Sequence, residues 1–230
     1  MKIAVFTDVH GNYQALSSIL SDINNKKFDK VICLGDNIGL GPSSNECLKE
    51  LNDTDIIMIT GNHELYYTKG IDKDHVENKN ILEHNNWIHT HMHEPVSDDL
   101  LKYEISFNNK KVLFVHFFLS EGTYPFESSH IFDDESYKKV FDRYDYDAVL
   151  YGHRHMERTD KYNNNTYYGL LSSGCTKDDI TYYYIVDIND EINVEKVELK
   201  YDRDTFVNIF KNTNFPEKGH IGDYFFGIKE

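Results

Sequence analysis

Eight polar side chains, all able to bind a metal ion or a phosphate, come directly after short apolar runs of the sequence. In chain order they are Asp8, His10, Asp36, Asn62, His63, His116, His153 and His155. Imidazole, carboxylate and amide oxygen suit Zn²⁺, Mn²⁺ or iron, and the lack of cysteine in this set argues against a structural zinc site. We therefore expect a metal site, provided that the fold brings these side chains together.

The runs that precede these residues are predicted to be strands of an α/β sheet. KIAVF (2–6), KVICLG (30–35) and DIIMITG (55–61) have the length and composition of buried strands. Between them, apolar residues at helical spacing predict a helix from Asn12 to Asn24 and a shorter one from Asn45 to Leu51. Ligands of open α/β sheets bind at the carboxyl ends of the strands, so we expect the eight side chains to converge there.

The second half of the sequence supplies further strands. KKVLFVHFF (110–118) predicts one of them. Four more, without intervening helices, are predicted at 147–155, 166–174, 181–188 and 192–199. The short link NDE between the last two is typical of a hairpin turn.

Other segments are expected to cover the sheet and the site. The polar region 64–104 is predicted to form helices over the site, with 80–92 the best candidate, and Asp202 to Asn212 has helical periodicity. Residues 119–146 are predicted to form a lid that includes a helix near 134–144. Because the composition shows no linker and no repeat, we predict a single domain over residues 1–230.

The predicted site fits a centre of two metal ions. Two divalent ions would leave a net positive charge after Asp8 and Asp36 are counted, and such a charge attracts a phosphoryl group. Two ions about 3.5–4 Å apart also activate a bridging water for displacement at phosphorus. Gly35 and Gly61 directly precede Asp36 and Asn62, where the absence of a Cβ relieves crowding at a sharp turn.

The overall charge narrows the possible partners. With 39 acidic and 24 basic residues the net charge is −15, which disfavours long nucleic acids and anionic membranes. The N-terminal MKIAVF is too short for a signal peptide, and no apolar run reaches the length of a membrane span. The three cysteines form no paired motif. We expect a cytoplasmic protein that acts on a small phosphorylated molecule.

The motifs DVH, GDNIGLG, GNHE, VH and GHRH, in this order between residues 3 and 155, resemble those of the calcineurin-like metallophosphoesterase superfamily. DVHGNYQALSSIL and LGDNIGLGPSSNECLKEL are similar to the small single-domain phosphodiesterases of bacteria and archaea. The resemblance implies an α/β fold, a mixed β-sheet sandwich flanked by helices in four layers (α/β/β/α). It also implies two divalent ions, Mn, Fe, Zn or Ni.

Carried over position by position, the resemblance implies a role for each of the eight residues. The first metal is implied to bind Asp8, His10 and His155, and the second Asn62, His116 and His153. Asp36 is implied to bridge both ions. His63 is implied to bind no metal and to stabilise charge on the phosphoryl oxygen or to protonate the leaving group. A metal-bridging hydroxide would attack phosphorus directly.

Three departures from the pattern leave the substrate open. Phe117 follows His116 where relatives usually have glycine, SSGC (172–175) replaces NPGS, and Glu64 replaces aspartate. A phosphodiesterase is the first interpretation and a phosphomonoesterase, acting on a nucleotide or a protein, the alternative. A non-catalytic scaffold is disfavoured because all eight positions are intact. Cyclic nucleotides, dinucleotides and short oligonucleotides stay open as substrates.

Several other residues have both a functional and a structural interpretation. HTHMH (89–93) resembles a metal tract, but in a helix residues two apart do not share a face; Trp87 and Ile88 are expected to pack that helix. Arg154 is a candidate phosphate contact or the partner of an outward salt bridge. Tyr124, Phe126 and Phe132 could line a nucleobase pocket or bury a lid or a dimer contact. Cys175 is assigned no chemistry.

Overall fold

The computed structural model describes residues 1–71, 79–118 and 144–229, and within these ranges ten strands form two five-stranded sheets. The first sheet has the order β10-β9-β1-β2-β3. Its strands are β1 (Lys2–Phe6), β2 (Lys30–Cys33), β3 (Ile57–Met58), β9 (Ile180–Ile188) and β10 (Ile192–Lys200). Strands β1, β2 and β3 run parallel, whereas β9 is antiparallel to β1 and to β10. The sheet is therefore mixed, with three parallel carboxyl ends side by side.

The second sheet has the order β4-β5-β6-β8-β7. Its strands are β4 (Lys102–Phe107), β5 (Lys110–Val115), β6 (Ala148–Tyr151), β7 (Arg158–Tyr162) and β8 (Asn165–Gly169). The three central strands β5, β6 and β8 are parallel, and the edge strands β4 and β7 are antiparallel to their neighbours. This sheet adds the carboxyl ends of β5 and β6 to those of the first sheet.

Six α-helices and one π-helix lie in the described ranges. They are α1 (Tyr13–Asn24), α2 (Ser44–Asn52), α3 (Asn62–Lys69), α4 (Lys79–His91), α5 (Arg203–Asn212), α6 (Lys218–Ile221) and the π-helix Gly222–Phe226. The side chain of Asn12 caps α1 by accepting a hydrogen bond from the N–H of Ala15, and Asp202 caps α5 in the same way. None of the helices in these ranges is long and apolar enough to cross a bilayer.

Successive side chains of the central strands point to opposite faces of the sheet, and this alternation divides the core into layers. Ile3 and Val5 of β1 face the second sheet, where they pack with Val112 and Phe114 of β5. The intervening residues of β1 face α1 and α2 on the opposite side, in a cluster with Leu16, Ile19 and Leu51. The predicted α/β sandwich of two mixed sheets flanked by helices is therefore confirmed. The helix predicted near 134–144, and residues 119–143 of the predicted lid, lie outside the described residues.

The predicted elements differ from the structure mainly where the sequence is polar. Helices α1, α2, α4 and α5 and the β9–β10 hairpin lie within a residue or two of their predicted positions. Strand β3 is only two residues long, shorter than the predicted strand at 55–61. Strands β4 and β7 and the π-helix were not predicted, since KYEISF and RTDKY are too polar to suggest strands.

Candidate active site

The structure brings all eight predicted residues together at one edge of the sandwich. Some of them follow the ends of β1, β2 and β3 in the first sheet, and the others follow the ends of β5 and β6 in the second. The side chains form two groups of donor atoms that meet at Asp36. This arrangement follows from the topology, because parallel neighbouring strands end at the same edge.

The first group consists of Asp8, His10 and His155. The Nε2 atoms of His10 and His155 lie 3.0 Å apart. The Oδ1 atom of Asp8 is 3.2 Å from Nε2 of His155 and 3.7 Å from Nε2 of His10. Donor atoms that share one Zn²⁺ at about 2.0–2.2 Å are themselves roughly 3–4 Å apart, so this group fits a divalent cation in spacing and in chemistry.

The second group is centred on the side-chain oxygen of Asn62. Its Oδ1 atom lies 2.8 Å from Nδ1 of His153 and 3.1 Å from Nε2 of His116. The Oδ2 atom of Asp36 is 3.2 Å from Nε2 of His116 and 3.7 Å from Nε2 of His10, and thus lies between the two groups. The second group also has the spacing and the donor types of a divalent cation site.

Five of these residues have a backbone conformation that is rare for side chains other than glycine. The φ angles are 54° at Asp8, 48° at His10, 54° at Asp36, 67° at His153 and 51° at His155. A left-handed residue costs roughly 1–2 kcal/mol, and the hydrogen bonds of the strand-end turns hold it in place. The N–H groups of Asp8 and His10, for example, donate to the carbonyls of Gly35 and Asp36 at 2.9 Å.

The second group contains two imidazoles whose pKa values are shifted in opposite directions. Burial disfavours the charged form of His116, but the carboxylates of Asp36 and Asp8 outweigh burial and raise its pKa to about 9. Desolvation, followed by the charge of His116, lowers the pKa of His153 to about 3. Desolvation also opposes ionisation of Asp8, yet the nearby His155 and His116 hold its pKa well below the usual range. Buried imidazoles and carboxylates this close together, with pKa values shifted this far, are typical of functional sites.

His63 lies beside the two donor groups, and one of its ring nitrogens is within 4.8 Å of donor atoms of His10 and Asp36. Its backbone N–H donates to Oδ1 of Asp36 at 2.8 Å, and its ring meets the ring of His10 edge-on at 4.9 Å. Desolvation lowers the pKa of His63 to about 3, although Asp36 acts in the opposite direction. The neutral ring faces the cleft above the two groups, where it can exchange a proton or a hydrogen bond with a bound ligand.

Glu64 is a site residue whose importance the sequence did not indicate. Its buried carboxylate accepts hydrogen bonds from the N–H groups of Asn37 at 2.7 Å and of Asp36 and Gly61 at 2.9 Å each. These bonds tie the turn after β2 to the start of α3. Burial and the adjacent Asp36 raise the pKa of Glu64 to about 7, while the N–H groups of Asn37 and Asp36 act against this shift. Glu64 thereby positions Asp36.

Replacing Glu64 with glutamine should lower the free energy of unfolding by about 1–3 kcal/mol, because the amide has one acceptor oxygen for three buried N–H donors. Urea unfolding of the metal-free protein measures the change. Glu195→Gln, at an exposed position of β10, is the matched control and should stay within about 0.5 kcal/mol of wild type. Equal stability of the two variants would contradict the bracing role of Glu64.

Gly39 leaves room for the His63 ring. Its φ is +80°, and a Cβ added there would overlap Nδ1 of His63. Gly39→Ala should therefore displace His63 and reduce turnover at least about 10-fold while metal content stays near wild type. Gly70 also has a positive φ, +86°, but a Cβ there meets nothing within 4 Å. Gly70→Ala thus carries the backbone strain alone, and an equal loss of turnover in both variants would refute the contact with His63.

His84 supports the loop that carries Gly39, and its burial makes stability depend on pH. The Nε2 atom accepts a hydrogen bond from the N–H of Leu40 at 3.0 Å, and burial lowers the pKa of His84 to about 4. Between pH 6.5 and 4 the unfolded chain binds a proton that the folded chain does not, so stability falls as the pH falls.

We expect the metal-free wild type to lose about 2 kcal/mol more unfolding free energy between pH 7 and pH 5 than His84→Gln does. Chemical denaturation at the two pH values measures this difference. The exposed His220 provides the control, since His220→Gln should retain the wild-type pH dependence. A His84→Gln curve parallel to wild type would show that His84 is not the group responsible.

The eight residues open into a cleft of about 690 Å³. Most of them line it, and further lining residues are Leu40, Arg154, Cys175, Lys177, Tyr224 and Phe225. Arg154 was predicted as a candidate phosphate contact and does lie at the cleft. The aromatic residues come from the π-helix, which the sequence did not predict, so their place in the cleft was missed. The candidate aromatic residues Tyr124, Phe126 and Phe132 lie outside the described residues.

The two departures that flank the site have structural explanations. Phe117 is buried and meets the rings of His116 and His153 edge-on at 5.3 and 6.0 Å, so it packs behind the donor groups. In the SSGC segment, the hydroxyl of Ser172 donates to the carbonyl of Asp8 at 2.7 Å and accepts from the N–H of Cys175 at 2.8 Å. The sulfur of Cys175 lies within 4.8 Å of the ring nitrogens of His10 and His155.

The histidines of HTHMH are accounted for by packing. His89 stacks on Tyr67 at 4.5 Å and His91 stacks on Trp87 at 4.3 Å. Among the described residues, the clusters able to hold a metal do not include them. Ile88 is buried against α2, and Trp87 packs beside it, which confirms the predicted packing of this helix.

Comparison with known proteins identifies the family. A family model described as calcineurin-like phosphoesterase matches residues 1–157, and the chain therefore belongs to this family. The predicted resemblance to the calcineurin-like metallophosphoesterases is confirmed.

Two curated relatives match a short part of the chain. An uncharacterized protein of Methanocaldococcus jannaschii is 42% identical over 62 residues, which cover 27% of this chain and 26% of the relative. Serine/threonine-protein phosphatase 2 of Escherichia coli is 43% identical over 63 residues, covering 27% of this chain and 29% of the relative. The match thus spans less than a third of the length of either relative.

Solved structures match nearly the whole fold at low identity. A hypothetical protein of Pyrococcus horikoshii superposes with a TM-score of 0.78 at 16% identity, covering 100% of this chain and 99% of that one. A metallophosphoesterase of Sphaerobacter thermophilus gives 0.66 at 18% identity over 94% and 96%. A structure described as a novel archaeal phosphodiesterase gives 0.51 at 17% identity over 86% and 100%. At these identities the likeness establishes the fold.

Proposed function

We propose that the protein is a phosphodiesterase with a dinuclear metal centre. The observation that carries this proposal is the pair of donor groups joined at Asp36, whose Oδ2 atom lies 3.2 Å from His116 of one group and 3.7 Å from His10 of the other. A single structural ion would need only one such group. Two groups with a shared carboxylate suit two ions acting on one phosphoryl group.

In this proposal seven residues hold the metals. Asp8, His10 and His155 form one set, Asn62, His116 and His153 form the other, and Asp36 belongs to both. Divalent ions bound there would neutralise charge on the phosphoryl oxygens and activate water as the nucleophile. Manganese is the first ion to test, and Fe, Zn and Ni suit the same donors.

His63 acts on the ester itself. It faces the cleft, and its position is set by the backbone bond to Asp36 and by the edge-on contact with His10. A bound phosphoester brings negative charge next to the ring, which favours the protonated imidazole. His63 then donates a hydrogen bond or a proton to the leaving oxygen.

The cleft suits a small ester better than a long polynucleotide. Among the described residues, Arg154 and Lys177 are the Lys and Arg side chains that line it, in a chain whose net charge is −15. A nucleotide or a dinucleotide needs no more than such local positive charge, whereas a polynucleotide groove needs an extended basic surface. An archaeal protein with the same fold is described as a phosphodiesterase, which supports a diester as the substrate. The name of the phosphatase from Escherichia coli favours the second candidate, a phosphomonoesterase.

Hydrolysis of bis-p-nitrophenyl phosphate and p-nitrophenyl phosphate by the same preparation distinguishes these candidates. The enzyme is first stripped with a chelator and then resupplied with Mn²⁺, and the stripped enzyme serves as the control. We expect metal-dependent cleavage of the diester in preference to the monoester. Preference for the monoester would establish the phosphomonoesterase instead. Absence of both activities in metal-loaded protein would revive the scaffold interpretation.

A further inference from the structure

The π-helix near the C-terminus forms one wall of the cleft and carries an unusually exposed aromatic ring. Tyr224 and Phe225 both line the cleft. The side chain of Tyr224 is 63% exposed, whereas its neighbour Phe226 is fully buried. A π-helix is rare and occurs frequently at functional sites. An aromatic ring that is exposed in the cleft is available to stack on a bound ligand.

The wall that carries Tyr224 is held firmly in place. Arg203 donates to the carbonyl of Phe226 at 2.6 Å, and it also donates to the carbonyls of Thr176 and Asp178 at 3.1 and 3.0 Å. One guanidinium thus ties the π-helix to the loop on which Lys177 lies. Phe226 packs against Phe206 of α5, with ring centroids 5.0 Å apart. A platform held in this way loses little freedom when a ligand binds.

Tyr224 lies within reach of a group attached to the reacting phosphate. The ring of Phe225 is 6.0 Å from the ring of His155 in the first donor group, and the ring of Tyr224 is 4.8 Å from that of Phe225. The Nζ atom of Lys177 lies 6.0 Å from the centre of the Tyr224 ring. The candidate phosphoryl site, the Tyr224 ring and the Lys177 ammonium are therefore neighbours in the cleft.

We propose that Tyr224 and Lys177 form a nucleotide subsite, in which the base of the substrate stacks on Tyr224 and Lys177 pairs with a second phosphate. This inference rests on the proposed phosphoesterase site, because the first phosphate must lie at the donor groups. The Tyr224 ring already stacks with the ring of His220 at 5.9 Å, and its exposed surface can stack with a flat base in the same way. The cation beside it matches an additional anionic group and is one of the few in the cleft.

Direct binding tests the subsite independently of turnover. Calorimetry on Mn²⁺-loaded protein carrying His63→Ala, which slows hydrolysis during the titration, compares ribose 5-phosphate, AMP and ADP. Ribose 5-phosphate and AMP differ by the base, and AMP and ADP differ by one phosphate. We expect AMP to bind about 10-fold more tightly than ribose 5-phosphate, and ADP more tightly still. Adding Tyr224→Ala should abolish the first difference, and adding Lys177→Gln should abolish the second.

Two controls sharpen the interpretation. Tyr224→Phe keeps the ring and should keep the preference for AMP, whereas Phe107→Ala removes an exposed ring on β4 that does not line the cleft and should change nothing. The subsite would be overturned if ribose 5-phosphate and AMP bound equally well to the His63→Ala protein that retains Tyr224. A preference for AMP that persists after Tyr224→Ala would overturn it as well. If the wild-type protein binds AMP more tightly than ribose 5-phosphate but hydrolyses neither nitrophenyl ester, the proposed function is contradicted and the subsite is supported.

Discussion

Replacing Asp36 with asparagine should lower metal content and turnover together. Asp36 is the side chain that both donor groups share, and its Oδ2 atom lies 3.2 Å from His116 and 3.7 Å from His10. The amide keeps the size of the side chain but removes the negative charge. Because the remaining charge of the ligands is then too small to hold two divalent ions, we expect affinity for at least one ion to fall about 100-fold or more.

Elemental analysis after dialysis against limiting Mn²⁺ measures the metal content of Asp36→Asn, and hydrolysis of bis-p-nitrophenyl phosphate measures its turnover. Asp204→Asn, an exposed carboxylate of α5, controls for the general loss of a negative charge and should match wild type. Two ions retained in Asp36→Asn together with full activity would show that Asp36 is not a shared ligand.

Replacing His63 with alanine should have a different result, with metal content unchanged and turnover reduced about 10²- to 10⁴-fold. The bond that links His63 to Asp36 comes from the backbone N–H, at 2.8 Å, and alanine keeps it. The substitution therefore removes the imidazole from the cleft and leaves the carboxylate supported. The loss should appear in kcat more than in KM, because the ring acts when the leaving oxygen gains charge.

The comparison of metal content and kcat in His63→Ala with those in His89→Ala tests this role. His89 stacks on Tyr67 at the surface, and its removal should leave both quantities near wild type. A large loss of metal in His63→Ala, equal to that of Asp36→Asn, would contradict the separate roles of the two residues.

The positions of the eight site residues could be predicted from the sequence because they depend on one regular feature. Each follows a strand, and the carboxyl ends of parallel strands meet at one edge. The hydrophobic pattern places β1, β2, β5 and β6 without ambiguity. Once those strands are placed, Asp8, Asp36, His116 and His153 must converge.

Other parts of the site depend on long-range contacts that leave little trace in a local pattern. Glu64 looks like an ordinary first-turn acid of a helix, yet it binds N–H groups from a turn 27 residues earlier. The φ of 67° at His153 results from the path of the chain between β6 and β7. A short polar strand such as β7 forms because β8 pairs with it. The π-helix that carries Tyr224 is held at the cleft by contacts such as the bond from Arg203 to the carbonyl of Phe226, 23 residues further along the chain.

The number of ions needed for activity distinguishes a dinuclear centre from a mononuclear one. Enzyme stripped by a chelator is titrated with Mn²⁺, and hydrolysis of bis-p-nitrophenyl phosphate is measured beside the number of ions bound. We expect no turnover without metal and an increase that reaches its maximum at two ions per chain. Full activity in stripped enzyme, or a maximum at a single ion, would contradict a centre in which two donor groups act through Asp36.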